Sequence, residues 1–290
     1  MDLRSLIMGL LFAAMWSSAF TSARIIVEYA PPMLTLSARF FISGGLAIVI
    51  ARSMGQKFGL TRAQLRSTMI FGICQNALYL GLFFIAMQTI EASLAAIIAS
   101  TMPLLVALAS RVIFGENLSR LATAGLAAGF AGAALIMGSR LSAGVDLFGV
   151  GLCVIGVAAL AVATLSVRGA SAGGNLLMVV GYQMLVGGAA LLVVGTLSET
   201  VDIRWNWTLV GAFTYTTLVP GLAATWIWFA LVERIGAIRA ATFHFLNPFF
   251  GVAIAALLLG EALGWLDILG VAIIAGGILA VQLSRAARTG

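Results

Sequence analysis

Long apolar runs alternate with short polar segments along the whole of this 290-residue chain. Each run is about 20 residues long, which suits a helix that crosses a bilayer, whereas barrel strands would be about 10 residues long with alternating polarity. Helix is also the default because hydrocarbon offers no partner to an unpaired backbone N–H. The pattern predicts ten membrane-spanning helices, joined by connections too short for a soluble domain: 5–26, 33–53, 67–88, 92–113, 120–139, 147–168, 175–196, 206–230, 237–259 and 265–284.

The second half of the chain repeats landmarks of the first at a fixed offset of 145 residues. Five positions recur in order: Pro103, Gly115, Glu116, Gly125 and Gly132 as Pro248, Gly260, Glu261, Gly270 and Gly277. We therefore predict two domains, a five-helix repeat over 1–142 and a second over 143–290. Because five is odd, the second repeat starts on the opposite membrane face and is inverted. The expected fold is an all-α membrane protein with two inverted five-helix repeats around a central cavity, an arrangement common in secondary transporters.

Composition and charge agree with a membrane protein. Hydrophobic residues make up 62% of the chain, charged residues 9%, and the mean hydropathy is +1.11. An isoelectric point of about 10.1 does not indicate nucleic-acid binding, because the basic residues collect on one predicted membrane face. If the N-terminus is cytoplasmic, the inner segments hold twelve Lys or Arg and the outer segments three. The positive-inside rule then predicts a multi-pass protein of the bacterial inner membrane, in contact with lipid and with both termini in the cytoplasm.

Three residues inside the spans are predicted to shape the bundle. Pro103 and Pro248 lie mid-span at equivalent repeat positions, where each removes a backbone hydrogen bond. We expect hinges or cavity-shaping bends there, with simple packing geometry as the alternative. Arg39 lies in the second span and could snorkel, pair with a helix-end carbonyl or meet a substrate carboxylate. We expect a structural role for it.

Polar and aromatic side chains inside the spans predict a pocket for a flat apolar solute with a polar end. Gln75, Tyr79 and Phe83 are one helical turn apart and share a face. Packing between helices is the alternative for each residue, since hydroxyls and aromatic rings also join membrane helices. The predicted substrate-binding residues are Trp16, Ser17, Gln75, Asn76, Tyr79, Phe83, Ser100, Thr101, Thr225, Trp228 and His244. Trp226 is a further candidate, and glycines in the fifth and tenth spans predict close packing or a dimer surface.

Proton coupling depends on His244, the sole histidine and the one side chain near the midplane that titrates around neutral pH. A hydrogen-bonded packing role is the alternative for it. Every Asp and Glu falls at a predicted loop or helix end, so facilitated diffusion or exchange is equally acceptable. We favour transport without a proton.

Several classes of activity lack their sequence signatures. The chain has no phosphate-binding loop for ATP, no His-Glu-x-x-His or Gly-x-Ser-x-Gly motif, and no spacing for a metal or redox site around Cys74 and Cys153. We expect no enzymatic activity, no cofactor and no metal. A monomer is favoured.

The chain resembles the EamA-type drug/metabolite transporters. The likeness is carried by Trp16-Ser17-Ser18 in the first span, Arg39-Phe40 in the second, and Pro-x11-Gly-Glu ending at Glu116 and Glu261. The bacterial exporters of aromatic amino acids, the YddG type, are the most similar subfamily in general pattern. This resemblance implies export of aromatic amino acids and related small metabolites. Glu116 and Glu261 are expected to tie helix ends rather than to bind substrate.

Two other substrate classes stay open at the level of sequence. A broad-specificity exporter of cationic drugs would need an acidic residue in the cavity, and the spans offer none. An exchanger of phosphorylated sugars or nucleotide sugars would need Lys or Arg near the midplane, where Arg39 is the candidate.

Overall fold

The computed structural model describes residues 2–115, 117–166 and 175–289, with side chains throughout these ranges except at 229, 233, 237–239 and 285–289. Within these ranges ten helices are long and apolar enough to cross a membrane, which confirms the predicted all-α fold. The helices are α1 (Leu3–Tyr29), α2 (Pro32–Ser53), α3 (Arg62–Ala86), α4 (Ala92–Phe114), α5 (Arg120–Ser142), α6 (Leu147–Ser166), α7 (Leu176–Ser198), α8 (Trp207–Leu218, Val219–Ala223 and Ala224–Ile235), α9 (Ala237–Thr242, Phe243–Leu246 and Asn247–Leu259) and α10 (Trp265–Thr289).

The observed bounds differ from the predicted ones by five residues at three helix ends: α3 begins at Arg62 rather than at 67, α8 ends at Ile235 rather than at 230, and α10 ends at Thr289 rather than at 284. A polar cap accounts for the first of these differences. Thr61 accepts a hydrogen bond from the backbone N–H of Gln64, and the Gln64 side chain accepts one from the N–H of Thr61. This capping box satisfies two free N–H groups and starts the helix in a polar stretch that hydrophobicity alone does not identify.

Helices α5 and α10 meet through glycines that the sequence repeat relates to one another. A Cβ atom on Gly277 would lie 2.5 Å from the carbonyl oxygen of Gly125, and one on Gly125 would lie 2.7 Å from that of Gly277. Gly132 and Gly270 face each other in the same reciprocal way, at 2.9 and 3.0 Å. The repeat pairs Gly125 with Gly270 and Gly132 with Gly277, so each contact is the image of the other about a two-fold axis. These glycines therefore join the two repeats within one chain rather than forming a surface between two chains.

A second close contact joins α2 to α7. Gly44 and Gly181 approach each other so closely that a Cβ on either would lie 3.0 Å from the other's carbonyl oxygen. The Ser37 hydroxyl donates a hydrogen bond of 2.8 Å to the carbonyl of Gly188. Because lipid tails are as apolar as leucine, membrane helices associate through close packing and such hydrogen bonds rather than through the hydrophobic effect.

Carboxylates of one helix end cap the start of another helix. Glu261, which follows α9, accepts hydrogen bonds of 2.7 and 2.9 Å from the N–H groups of Ala92 and Ser93 at the start of α4. Glu199, which follows α7, does the same for Met33 and Leu34 in α2, at 2.9 and 3.0 Å. A negative charge at a helix N-terminus is favourable because the first N–H groups are free and the helix dipole is positive there. Glu116 lies outside the described residues, so its predicted role stays a prediction.

More polar contacts close this end of the bundle, which we call the Glu261 end. Arg140 of α5 pairs with Glu91 at 2.5 Å and with Asp267 at 3.0 Å, linking α5 to the starts of α4 and α10. The Thr89 hydroxyl donates to Asp146 at 2.5 Å. That bond, with further bonds from the N–H groups of Gly149 and Phe148, holds the pKa of Asp146 below its usual range. The opposite end carries the Asp2–Arg234 ion pair between α1 and α8, at 2.6 Å.

The outer surface of the bundle is apolar, as contact with lipid requires. Side chains such as Val112, Leu197 and Leu257 are largely exposed on helix faces that point away from the bundle. Trp205, Trp207 and Trp265 are also exposed, and they lie at the Glu261 end. Tryptophan favours the level of the lipid headgroups, so these three rings mark one membrane interface.

The glycine contact between α5 and α10 generates a testable prediction. Gly277→Ala should lower the thermal stability of the purified protein in detergent, because its Cβ would meet backbone atoms 2.5 to 2.9 Å away. Overpacking of this kind costs about 1–3 kcal/mol. The control is Gly276→Ala, since no atom lies within 4 Å of a Cβ at that position. Equal melting temperatures for the two variants would contradict the proposed contact.

Candidate functional site

Four helices lose regular α-helical geometry at equivalent positions of the two repeats. In α3, Gly72–Tyr79 is a π-helical segment, and Val219–Ala223 of α8 is its counterpart. Pro220 explains the second case because it has no N–H to donate back to Thr216. In α4 the helix is interrupted at Thr101, and in α9 a 3-10 turn, Phe243–Leu246, precedes Asn247.

Pro103 and Pro248 lie in the first turn after these two interruptions. Both following segments end at a left-handed glycine, Gly115 at φ 64° and Gly260 at φ 68°. The prolines therefore mark breaks in the helices, and their role as hinges stays a prediction. Interrupted helices at matched positions are typical of the substrate sites of transporters built from repeats.

The interrupted segments surround a cavity of about 420 Å³ in the centre of the bundle. Its wall combines aromatic rings with a few polar groups and contains no carboxylate from the described residues. The predicted site residues on the wall are Trp16, Gln75, Asn76, Tyr79, Ser100, Thr225, Trp228 and His244, together with Arg39 and Pro103. A volume of this size lies within the range of about 300–1,000 Å³ that is usual for small-molecule sites.

Four rings form one side of the cavity, and we call this group the aromatic box: Phe12, Trp16, Trp228 and His244. The ring centre of Phe12 is 4.8 Å from that of Trp228 and 5.7 Å from that of Trp16. His244 meets Phe12 edge-on at 5.3 Å and lies 5.1 Å from Trp228. Rings packed at these distances from α1, α8 and α9 hold each other in place, so the box presents fixed apolar faces.

A second group of rings closes the cavity towards the Glu261 end, and we call it the aromatic plug: Phe20, Tyr79 and Phe83. Tyr79 and Phe83 are 4.7 Å apart between ring centres, and Phe20 is 6.1 Å from Phe83. A small pocket of about 60 Å³ lies among these rings. Beyond it, a guanidinium N–H of Arg24 donates to the carbonyl of Met87 and ties α1 to α3. A solute that leaves through the Glu261 end must move this plug.

Three predicted residues lie off the wall of the main cavity. Ser17 is fully buried and donates a hydrogen bond of 3.2 Å to the carbonyl of Asn247. Thr101 donates 2.7 Å to the carbonyl of Ile98 and is buried. Phe83 lines only the small pocket, because its side chain packs against Gly156 of α6. Phe83 shares a predicted helix face with Gln75 and Tyr79, but its ring contacts α6 instead of the main cavity.

Of the two tryptophans in α8, one lines the cavity and the other does not. Trp228 lines the cavity, whereas Trp226 is 72% exposed and faces outward. Residues two positions apart on a helix point in different directions, so a stripe of two tryptophans cannot serve one pocket. The expectation that either ring could meet the solute is therefore wrong for Trp226.

The polar side chains of the cavity differ in what they already bind. Asn76 is buried, and its Nδ2 donates 2.9 Å to the carbonyl of Gln183 in α7, while the side chain of Gln75 has no hydrogen bond to the described residues. Ser100 and Thr225 each donate to a backbone carbonyl of the preceding turn, at 2.6 and 2.9 Å. Their oxygens can still accept a hydrogen bond, as every hydroxyl has two lone pairs. Asn76 is thus used for packing, and Gln75 is the free amide.

His244 is hydrogen-bonded to Asn247. The side-chain amide of Asn247, one turn further along α9, lies 2.9 Å from the His244 Nδ1. This arrangement matches the hydrogen-bonded alternative for His244 while leaving the ring on the cavity wall.

Arg39 has no such partner. It is 7% exposed, its Nε has no hydrogen bond, and its guanidinium carbon lies 5.4 Å from the ring centre of Phe40. It lines both the main cavity and the small pocket. Nothing among the described residues neutralises this charge.

Several residues of the cavity wall were not among the predicted site residues, including Phe12, Thr164, Gln183 and Asn247. Phe12 sits one turn before Trp16 on the same face, so the helical spacing would have found it. Gln183 is an amide inside an apolar span, which is itself a signal. Thr164 is one of many Ser and Thr residues in the spans, and nothing in the sequence around it distinguishes it from the others.

The model of the EamA-like transporter family matches residues 3–138 and 147–283, nearly the whole chain. The chain belongs to this family. Its two matched segments fall on either side of the predicted boundary at 142, which stays a prediction. The family consists of small-molecule transporters, so this chain is a multi-pass transporter of small molecules.

Individual relatives agree with this family assignment in their class, and a solved structure agrees with the fold. The uncharacterized transporter YvbV of Bacillus subtilis is 23% identical over 86% of this chain and 82% of its own length. The uncharacterized transporter sll0355 of Synechocystis is 24% identical over 89% of this chain and 83% of its own. One solved crystal structure superposes with a TM-score of 0.70 at 21% identity, covering 99% of both chains. At that identity the likeness shows the shared fold alone.

The two neighbouring amides of α3 give a paired prediction. Asn76→Ala should lower the melting temperature of the purified protein, because it removes the hydrogen bond to Gln183 while keeping the Cβ that packs on Gly187. A hydrogen bond between membrane helices contributes about 1 kcal/mol. Gln75→Ala should leave the melting temperature unchanged. A larger loss for Gln75→Ala than for Asn76→Ala would reverse the assignment.

Proposed function

We propose that this EamA-like transporter exports aromatic amino acids and related small metabolites across a bacterial inner membrane by alternating access. The observation that carries the proposal is the aromatic box, four rings from three helices on the wall of a central cavity. The resemblance to bacterial aromatic exporters points the same way. Flat apolar faces beside a few polar groups suit a solute that is itself a ring with a polar end.

In this proposal the solute ring packs against the sides of Phe12, Trp16 and Trp228 that face the cavity. Its polar end meets Gln75, whose amide is free, and the hydroxyl oxygens of Ser100 and Thr225. These groups come from α3, α4 and α8, so binding contacts elements of both predicted repeats. A movement of one repeat against the other can then change access without dismantling the site.

Release requires the Glu261 end to open. The aromatic plug must separate, and the contacts of Arg24 and Glu261 across that end must loosen. With the orientation predicted from Lys and Arg, this end faces away from the cytoplasm, so plug opening is the export step. The matched interruptions in α4 and α9 are the places where we expect the backbone to bend.

We further propose that export does not require a proton. The wall holds no carboxylate among the described residues, and His244 is held by Asn247 and by ring contacts. Efflux of preloaded labelled phenylalanine from proteoliposomes should therefore be saturable and unchanged when a pH gradient is applied. A requirement for the gradient that disappears in His244→Gln would overturn this part of the proposal and make His244 the proton carrier.

An exchanger of phosphorylated sugars is the second candidate, and the unpaired charge of Arg39 favours it. A sugar has no aromatic ring to pack against the rings of the aromatic box. A phosphate group carries up to two negative charges, whereas Arg39 supplies a single positive charge. The aromatic solute accounts for both the rings and the charge, so it is the preferred substrate class.

Two tryptophans of α8 provide the test. Trp228→Ala should lower the initial rate of phenylalanine efflux at subsaturating concentration by about ten-fold, because one face of the aromatic box is lost. Trp226→Ala is the control, since its ring is 72% exposed and faces outward. Both variants should reconstitute to the level of the unmodified protein.

Two outcomes would contradict different parts of the proposal. Equal efflux from Trp228→Ala, Trp226→Ala and the unmodified protein would remove the aromatic box from substrate binding. No efflux above empty liposomes by folded, unmodified protein would overturn the aromatic amino-acid proposal itself, and the same vesicles would then be loaded with labelled sugar phosphates.

A further inference from the structure

We propose that Arg39 is the residue that binds the anionic group of the transported solute, and that the cavity therefore selects ring compounds that carry a carboxylate. That the solute contains an aromatic ring rests on the proposed function. That it carries an anionic group is inferred independently from Arg39. It replaces the structural role that we expected for Arg39 from the sequence.

Burial of Arg39 without a partner is the first argument. The residue is 7% exposed, makes no ion pair with the described residues, and its Nε is fully enclosed without a hydrogen bond. An arginine side chain stays charged in proteins, so it cannot relieve this situation by losing its proton. A buried charge that nothing neutralises is costly, so such residues inside membranes usually mark a binding site.

The carboxylates that the structure describes are too far along the helices to serve. Each lies at a helix end or in a connection, and several already bind N–H groups at helix starts or Arg140, among them Glu91, Glu199, Glu261 and Asp267. The cavity wall contains none. The missing negative charge must therefore come from the contents of the cavity.

The other two roles that the sequence allowed for Arg39 do not fit its position. A snorkelling arginine extends towards the membrane surface, whereas this side chain lines the central cavity and the small pocket. A helix-end carbonyl would appear as a hydrogen bond, and none joins Arg39 to any carbonyl of the described residues. Contact with a solute anion is the alternative that remains.

The guanidinium of Arg39 borders the cavity beside a glycine of α8. A Cβ on Gly221 would lie 3.1 Å from the carbonyl oxygen of Thr216, 3.4 Å from the Arg39 Nη2 and 3.7 Å from the Ser43 Oγ, so the lack of a side chain at Gly221 leaves this side of the guanidinium uncovered. Ser43 is buried and lies off the cavity wall, so Arg39 itself is the donor to the anion. The N–H groups of one guanidinium can bind both oxygens of a carboxylate.

The charge and the aromatic box border the same cavity. Arg39 and Trp16 both line the main cavity and the small pocket, so one solute in this space can contact both. A carboxylate near the plug and a ring in the box can then belong to the same solute. An amine that lacks the carboxylate would leave the arginine uncompensated and should be rejected.

The test compares three ligands that share a phenyl ring: phenylalanine, 3-phenylpropionate without the amine, and phenethylamine without the carboxylate. Binding is measured on the purified full-length protein by calorimetry. We expect the first two to bind and phenethylamine to bind at least about ten-fold more weakly, since a hydrogen bond to a charged group is lost. Phenyl phosphate is included to distinguish a carboxylate site from a phosphate site.

Substitution at Arg39 should remove this preference. Arg39→Gln should weaken phenylalanine and 3-phenylpropionate by about ten-fold or more and leave phenethylamine unchanged or improved. Arg39→Lys, which keeps a charge, should retain part of the preference. The matched control is Arg52→Gln, an exposed arginine at the far end of the same helix, which should bind like the unmodified protein. If Arg39→Gln does not fold, the ligand series on the unmodified protein still decides the question.

Failure of this inference and failure of the proposed function give different results. Equal affinity for phenylalanine and phenethylamine, or phenylalanine binding that survives in Arg39→Gln, would overturn the anion site and leave aromatic export standing. Tight binding of phenyl phosphate alone, lost in Arg39→Gln, would keep the anion site and overturn aromatic amino-acid export. Absence of binding by every anion would overturn the anion site.

Discussion

The need to pair every backbone polar group inside hydrocarbon governs this structure. An unpaired N–H or carbonyl facing lipid costs several kcal/mol, so irregular backbone is tolerated only inside the protein or beside a water-accessible cavity. The π-helical segments of α3 and α8 and the interruptions of α4 and α9 obey this rule, because all four border the central cavity. The irregular backbone and the candidate site are therefore the same part of the molecule.

Symmetry organises the frame but not the site. The reciprocal contacts Gly125–Gly277 and Gly132–Gly270 place a two-fold axis between α5 and α10. The cavity wall breaks this symmetry, since Gln75 in α3 corresponds to Pro220 in α8, and Arg39 in α2 corresponds to Met184 in α7. In the proposed export cycle, the repeats move as equivalent bodies, while the unequal wall residues hold the solute in one orientation.

Packing and binding are divided among neighbouring residues of the same helix. Asn76 is used to join α3 to α7, while Gln75 beside it is free in the cavity. Trp228 closes the aromatic box, while Trp226 lies on the outer face. Because lipid provides little driving force between helices, a membrane protein needs polar and small residues for packing as much as for function. Residue type alone cannot separate the two uses.

The sequence by itself determined the ten helices and the inverted repeat, because hydrophobic length and a fixed offset are properties of the chain. It also identified part of the cavity wall, since eight of the eleven side chains predicted to bind substrate line the cavity. Only the tertiary structure separated Phe83, Ser17 and Thr101 from the main cavity, and only it left Arg39 without a partner. Those outcomes depend on how helices rotate and tilt against one another, which is fixed by contacts between residues far apart in the chain.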